Sequence, residues 1–188
     1  MRAAVALASL LLGATPAVAG DWFQHRFGEA RAYHGDWLAV CADKGEGACR
    51  AVMLYADENA PGGGYRRLAV AVDAPGRYAV TLFHRTMPTP PPQPLVFEIG
   101  RDVYRLEPGT WKVGERTVDN LLETITVTDA TVARTLVDAM KAGNAMRFAY
   151  GGARSSGSGP GARAPSFSLR GVTAALDAIE ARLRARSG

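Results

Sequence analysis

Two cysteines and three histidines are all the cysteine and histidine that this 188-residue chain could offer a zinc ion. A zinc site needs three or four ligands in close spacing. His25, His34 and His84 form no H-x-x-x-H, and Cys41 and Cys49 are not spaced C-x-x-C, so no metal and no cofactor is read from the chain. There is no G-x-S-x-G, which excludes the nucleophile elbow of the α/β-hydrolases. Gly157-Ser158-Gly159 sits in a Gly/Ser-rich tract that offers a nucleophile no rigid seat. Gly62-Gly63-Gly64 lacks the Lys-Ser/Thr and the following helix of a phosphate loop. Past the N-terminal segment, no apolar run approaches the roughly 20 residues of a membrane-spanning helix. Charge is also sparse. The net charge is +4 and the aromatics are scattered, so the basic stripe of a nucleic-acid binder is missing.

What remains for chemistry is a set of carboxylates. Glycosidase acids can be distant in sequence, which keeps Asp36, Glu98 and Asp102 in view, but exposed strand carboxylates are far commoner than catalytic ones. No catalytic residue is assigned, and the chain reads as a protein other than an enzyme.

The N-terminus sets an expectation about compartment. Met1-Arg2 is a short positive region, Ala3 to Ala14 is apolar, and Ala17-Val18-Ala19 is a small-x-small box. This is the layout of a secretory signal peptide over residues 1–19, cleaved after Ala19. An exported chain with two cysteines should carry one disulfide. Cys41–Cys49 would close a small loop whose bends Gly45 and Gly47 can supply. A free redox pair is the alternative, and the spacing does not favour it.

Residues 20–188 then read as a single β-rich domain. Asp36 to Cys41 alternates Trp37, Ala39 and Cys41 against Asp36, Leu38 and Val40, both faces being largely apolar, as in a central strand. Further strands are expected at Cys49–Tyr55, Arg66–Asp73, Arg77–Arg85, in two short pieces over Leu95–Leu106, near Trp111–Val113, and at Leu121–Val127, Ala145–Tyr150 and Ser166–Arg170. The stretch Gly20–Tyr33 is read as lying along the domain or partly loose. Thr86–Pro94 is a stiff proline-rich connection, and residues 151–165 a flexible loop. The period changes twice to 3.6. Asp129 can cap a helix over Ala130–Ala142, with Val132, Leu136, Ala139 and Met140 on one side. Val172 to about Arg186 forms a second helix, with Arg182, Arg184 and Arg186 facing solvent near an end where cations suit the macrodipole. The expected fold is mainly β (α+β): an antiparallel β-sandwich-like domain of about nine strands with two helices, one at the C-terminus.

Several of these residues together resemble a known family. The opening Gly35-Asp36-Trp37 with Cys41, then Cys49 followed by Arg50-Ala51, a helix at Thr131–Ala142, and the closing Ser168-Leu169-Arg170-Gly171-Val172 before an Ala-rich helix are similar to the invasion-associated locus B family of Gram-negative envelope proteins. The ordered set spans nearly the whole chain after the signal segment. Family members often carry a second cysteine pair mid-chain, and here Leu95–Leu121 has none. The resemblance implies a secreted, mostly β domain of the periplasm or outer envelope, sometimes linked to host-cell invasion, without established catalytic residues. The implied partner is another envelope protein or a host component. For binding, the candidates are Trp37 and Trp111, which with Tyr104 could line a pocket for a small ligand or polysaccharide, and Arg66 with Arg67, which could form a basic stripe together with Arg77 and Arg85.

Overall fold

The computed structural model describes residues 21–57, 64–84, 90–91, 93–114, 125–151 and 166–187. Outside them lie the expected signal peptide (1–19), most of the glycine-rich loop before residue 64, most of the proline-rich connection, residues 121–124 of one expected strand, and nearly all of the 151–165 loop.

Twelve strands and two α-helices are described. The larger sheet has eight antiparallel strands. β1 (Phe23–Gln24), β2 (Ala30–His34), β3 (Trp37–Cys41), β4 (Cys49–Asp57), β5 (Gly64–Ala74) and β6 (Arg77–His84) run as a meander, followed in space by β10 (Ile125–Val127) and β9 (Trp111–Val113). The smaller sheet has the order β12-β11-β7-β8, from Ser166–Ser168, Ala145–Tyr150, Leu95–Ile99 and Asp102–Leu106. Among the described residues both sheets are open, and one core cluster joins them. The fold is thus the expected mainly antiparallel β-sandwich-like arrangement with two helices, the second at the C-terminus.

Strand alternation decides what faces that core. From the larger sheet come Trp37, Ala39, Cys41, Ala51, Leu68, Val70, Val72, Val80, Leu82, Ile125 and Val127; from the smaller come Leu95, Phe97, Ile99, Met146, Phe148 and Phe167. Helix α1 (Ala130–Ala142) packs on β6, and α2 (Val172–Ser187) packs on β3 and β4. Asp129 caps α1 as expected, its carboxylate accepting from the N–H of Thr131 and Val132 at 2.9 Å. The fully buried side chains of α1 are Ala133, Leu136, Val137 and Met140. Val132 and Ala139 lie at the margin of the core, so the buried stripe is turned slightly from the expected one.

The structure has two strands not expected from the sequence, β1 and β2, both beginning within Gly20–Tyr33. In β2 the inward residues are Ala30, Ala32 and His34, two of them too small to register as a hydrophobic pattern. Pairing creates this strand: the Gly35-Asp36 turn, with Gly35 at φ +59°, brings His34 opposite Trp37.

Candidate functional site

Two of the sequence stretches on which the resemblance rests, 35–37 and 168–171, are docked on each other. Trp37 is fully buried, and its indole Nε1–H donates to the Ser168 carbonyl at 2.9 Å. Ser168 Oγ donates to Asp36 Oδ2 and Arg170 Nη2 to Asp36 Oδ1, each at 2.6 Å. The Asp36 N–H donates to the Arg170 carbonyl at 3.0 Å. The hydrogen bond from Arg170, then that from Ser168, hold the Asp36 carboxyl below its ordinary range. The backbones touch as well. A Cβ on Gly171 would fall on the His34 carbonyl oxygen, and one on Gly35 would sit 2.8 Å from the Arg170 carbonyl oxygen. Glycine at both places is a requirement of close approach. This clasp fixes the start of α2 and strand β12 against the β2–β3 turn.

A second clamp sits at the other end of α2. Cys41 and Cys49 face each other across β3–β4 and form a disulfide, as expected. Arg182 and Arg186 were expected to face solvent. Instead both reach the loop that the disulfide closes. Arg182 Nε donates to the Gly45 carbonyl at 3.0 Å, and its guanidinium lies 4.9 Å from the Trp22 ring centroid. Arg186 donates to the carbonyls of Glu46 and Gly47 at 3.1 and 2.9 Å and to Cys49 Sγ at 3.3 Å. Loop carbonyls that no strand satisfies draw these cations in. Arg184 stays exposed beside Glu180, as expected of a solvated helix end.

Glu180 is likewise turned inward. Its carboxylate accepts from Tyr78 Oη at 2.5 Å and from the Gly76 N–H at 3.2 Å, fastening the β5–β6 turn to α2. Burial alone would raise the Glu180 carboxyl, but these two hydrogen bonds and the charges of Lys141 and Arg184 together lower it. Burial, then the bond to Glu180, pushes the Tyr78 phenol well above its ordinary value.

Arg66 and Arg67 do not form one stripe, because neighbours on a strand point to opposite faces. Arg66 donates from Nε to His84 Nε2 at 3.0 Å and lies over the Tyr55 ring. Burial, then the charge of Arg66, lowers the His84 pKa to about 4. Arg67 is buried on the opposite face, over Phe83. Arg77 is exposed at the β5–β6 turn beside Asp73, and Arg85 lies outside the described residues.

The pocket expected from Trp37, Trp111 and Tyr104 is not assembled. Trp37 belongs to the filled core, with no surface to offer a ligand. Trp111 is half-buried at the edge of the larger sheet, while Tyr104 is on the smaller one. The carboxylates do not converge either. Asp36 is in the clasp, and Glu98 and Asp102 project from opposite faces of the β7–β8 hairpin. Glu98 lines a shallow cleft of about 320 Å³ with Asn144 and Arg147, its neighbour across β7–β11. Among the described residues, no group of three or more His, Cys, Asp or Glu could hold a metal ion.

The feature most suited to recognition is an apolar patch that begins in the Gly20–Tyr33 stretch, which was expected to lie along the domain or stay partly loose. Phe23 and Tyr33 stack at 5.8 Å with nearly parallel rings. Both lie on the face of the larger sheet turned away from the core, which also carries Leu38, Val52 and Leu54. Tyr33 is 64% exposed, Leu54 52% and Phe23 40%, and Phe27, in the β1–β2 turn, is 68% exposed beneath the Arg26 guanidinium. The signal available in sequence was the alternation Arg31-Ala32-Tyr33-His34, visible only once a strand is drawn there. No family model, no curated protein and no solved structure matches this chain.

Proposed function

We propose that this chain is an exported envelope protein of a Gram-negative bacterium, periplasmic or carried to the outer envelope, that resembles the invasion-associated locus B proteins. It acts by binding another envelope protein or a host component rather than by catalysis. The observation that carries the reading is the exposed, stacked Phe23–Tyr33 pair on the outer face of the larger sheet, continued across that face by Leu38, opposite Tyr33, and by Leu54. Exposed apolar residues gathered in one place, rather than scattered singly, mark interaction surfaces, and aromatic anchors dominate binding energy where they are buried. The Cys41–Cys49 disulfide supports an oxidising compartment, in keeping with the signal-like segment at residues 1–19.

The test is capture from envelope extracts with the purified chain and with a Phe23→Ser/Tyr33→Ser double variant. A defined partner held by the wild type and released by the variant is the expected result. A chain that retains nothing yet turns over a substrate would overturn the reading.

A further inference from the structure

We propose that β8 is a self-pairing edge, through which two copies of this chain join antiparallel along Asp102–Leu106 with the dyad at Tyr104. Among the described residues each sheet has two open edges, and three of these four strands are stubs of two or three residues: β1, β9 and β12. β8 has five, an unbroken register with β7, and no proline. It therefore lacks the extreme shortness, the proline and the bulge that keep other edges from pairing. Val103, on its outer face, is 57% exposed.

The hairpin fixes which amides are free. The two-residue Gly100-Arg101 turn makes Ile99 and Asp102 a hydrogen-bonded pair. By alternation, Tyr104 and Leu106 also bond to β7, and the N–H and C=O groups of Val103 and Arg105 point outward. A symmetric antiparallel partner must join outward groups to outward groups, which leaves three registers. Val103 opposite Val103 places Arg101 opposite Arg105. Arg105 opposite Arg105 places like charges on the dyad. Only Val103 opposite Arg105 avoids both clashes. It sets the two Tyr104 rings across the axis and Arg101 of each copy opposite Glu107 of the other, and Arg101 and Glu107 are both exposed. Opposite charges across strands attract and like charges repel, so the edge is complementary to a second copy of itself in this one register. The result is a continuous eight-stranded sheet made from two four-stranded ones.

The interface is short, below the roughly 1,200 Å² of a standard complex, so the dimer is weak and reversible. Sedimentation velocity on the purified chain up to about 1 mM should show dimer growing with concentration. Val103→Pro, which removes an outward N–H, should weaken association about tenfold or more. Arg101→Glu should weaken it about tenfold, and Arg101→Glu with Glu107→Arg should restore it. Single cysteines give an independent reading. Under mild oxidation Tyr104→Cys should cross-link, because paired Cα atoms across the dyad are about 4.5 Å apart. Val103→Cys and Arg105→Cys should not, being diagonal to their own copies. A chain that stays monomeric at about 1 mM, one that pairs only with an added extended peptide, a charge swap that fails to restore, or a cross-link through 103 or 105 would each overturn the proposal.

Discussion

Replacing Trp37 separates a core residue from a ligand-binding one. The side chain is fully buried and donates to the Ser168 carbonyl, 131 positions away in the chain. Trp37→Ala removes a large apolar volume between the two sheets, a change that costs about 3–5 kcal/mol. Trp37→Phe keeps most of the volume but removes the indole donor, costing about 1–3 kcal/mol. A domain of this size has about 5–15 kcal/mol in total, so both are large fractions of it. With a urea dependence of about 2 kcal/mol per molar, the unfolding midpoint should fall by about 1.5–2.5 M for Trp37→Ala and about 0.5–1.5 M for Trp37→Phe. Tyr33→Ala, at an exposed position, should move it by no more than about 0.3 M. The assay is equilibrium urea unfolding followed by far-ultraviolet circular dichroism. If Trp37→Ala shifted the midpoint as little as Tyr33→Ala, the indole would not be holding the two sheets together and the clasp described above would be wrong.

Gly171→Ala should cost about 3 kcal/mol, because its Cβ meets backbone and φ is +99°; Gly100→Ala, with open space around it, should cost only about 1 kcal/mol, and thermal melts of the pair test the difference. Reducing the disulfide should remove about 2.5 kcal/mol on the chain-entropy account, and Arg186→Ala in the oxidised protein about 1–2 kcal/mol through the loop carbonyls it leaves without a donor, both readable from urea midpoints. The His84 pKa lies below its unfolded value, at about 4, so the unfolded chain takes up a proton first as pH falls. The stability from a neutral His84 is then complete above about 6.5 and lost on descending to about 4. His84→Gln should flatten this part of the stability–pH curve; an unchanged slope would show that another group is responsible.

Much of the architecture could be read from local pattern. Period-two runs such as Arg77–His84, the Gly100-Arg101 turn and the Asp129 cap are signals that neighbouring residues impose on one another, through side-chain alternation, hairpin geometry and orphan N–H groups. The cysteine pair was legible for the same reason: eight positions and a glycine-rich bend bring the two strands face to face. β2 was not legible, since Ala30 and Ala32 carry little apolar signal and become strand residues only when β3 lies beside them.

Sequence alone therefore determined most of the strands, both helices, the disulfide and two of the stretches on which the resemblance rests. Only the tertiary structure decided what those stretches do. Asp36-Trp37 and Ser168-Arg170 meet across more than 130 positions, and contacts that distant leave no periodicity to read. The structure also reassigned the candidate residues. Trp37 went to the core, Arg66 and Arg67 to opposite faces, and Arg182 and Arg186 to the disulfide loop, because burial and partnership are properties of the packed layers and not of the residue. The exposed patch of Phe23, Tyr33 and Leu54 has the same origin, since the chain supplies the apolar residues but strand pairing determines which of them are left facing water.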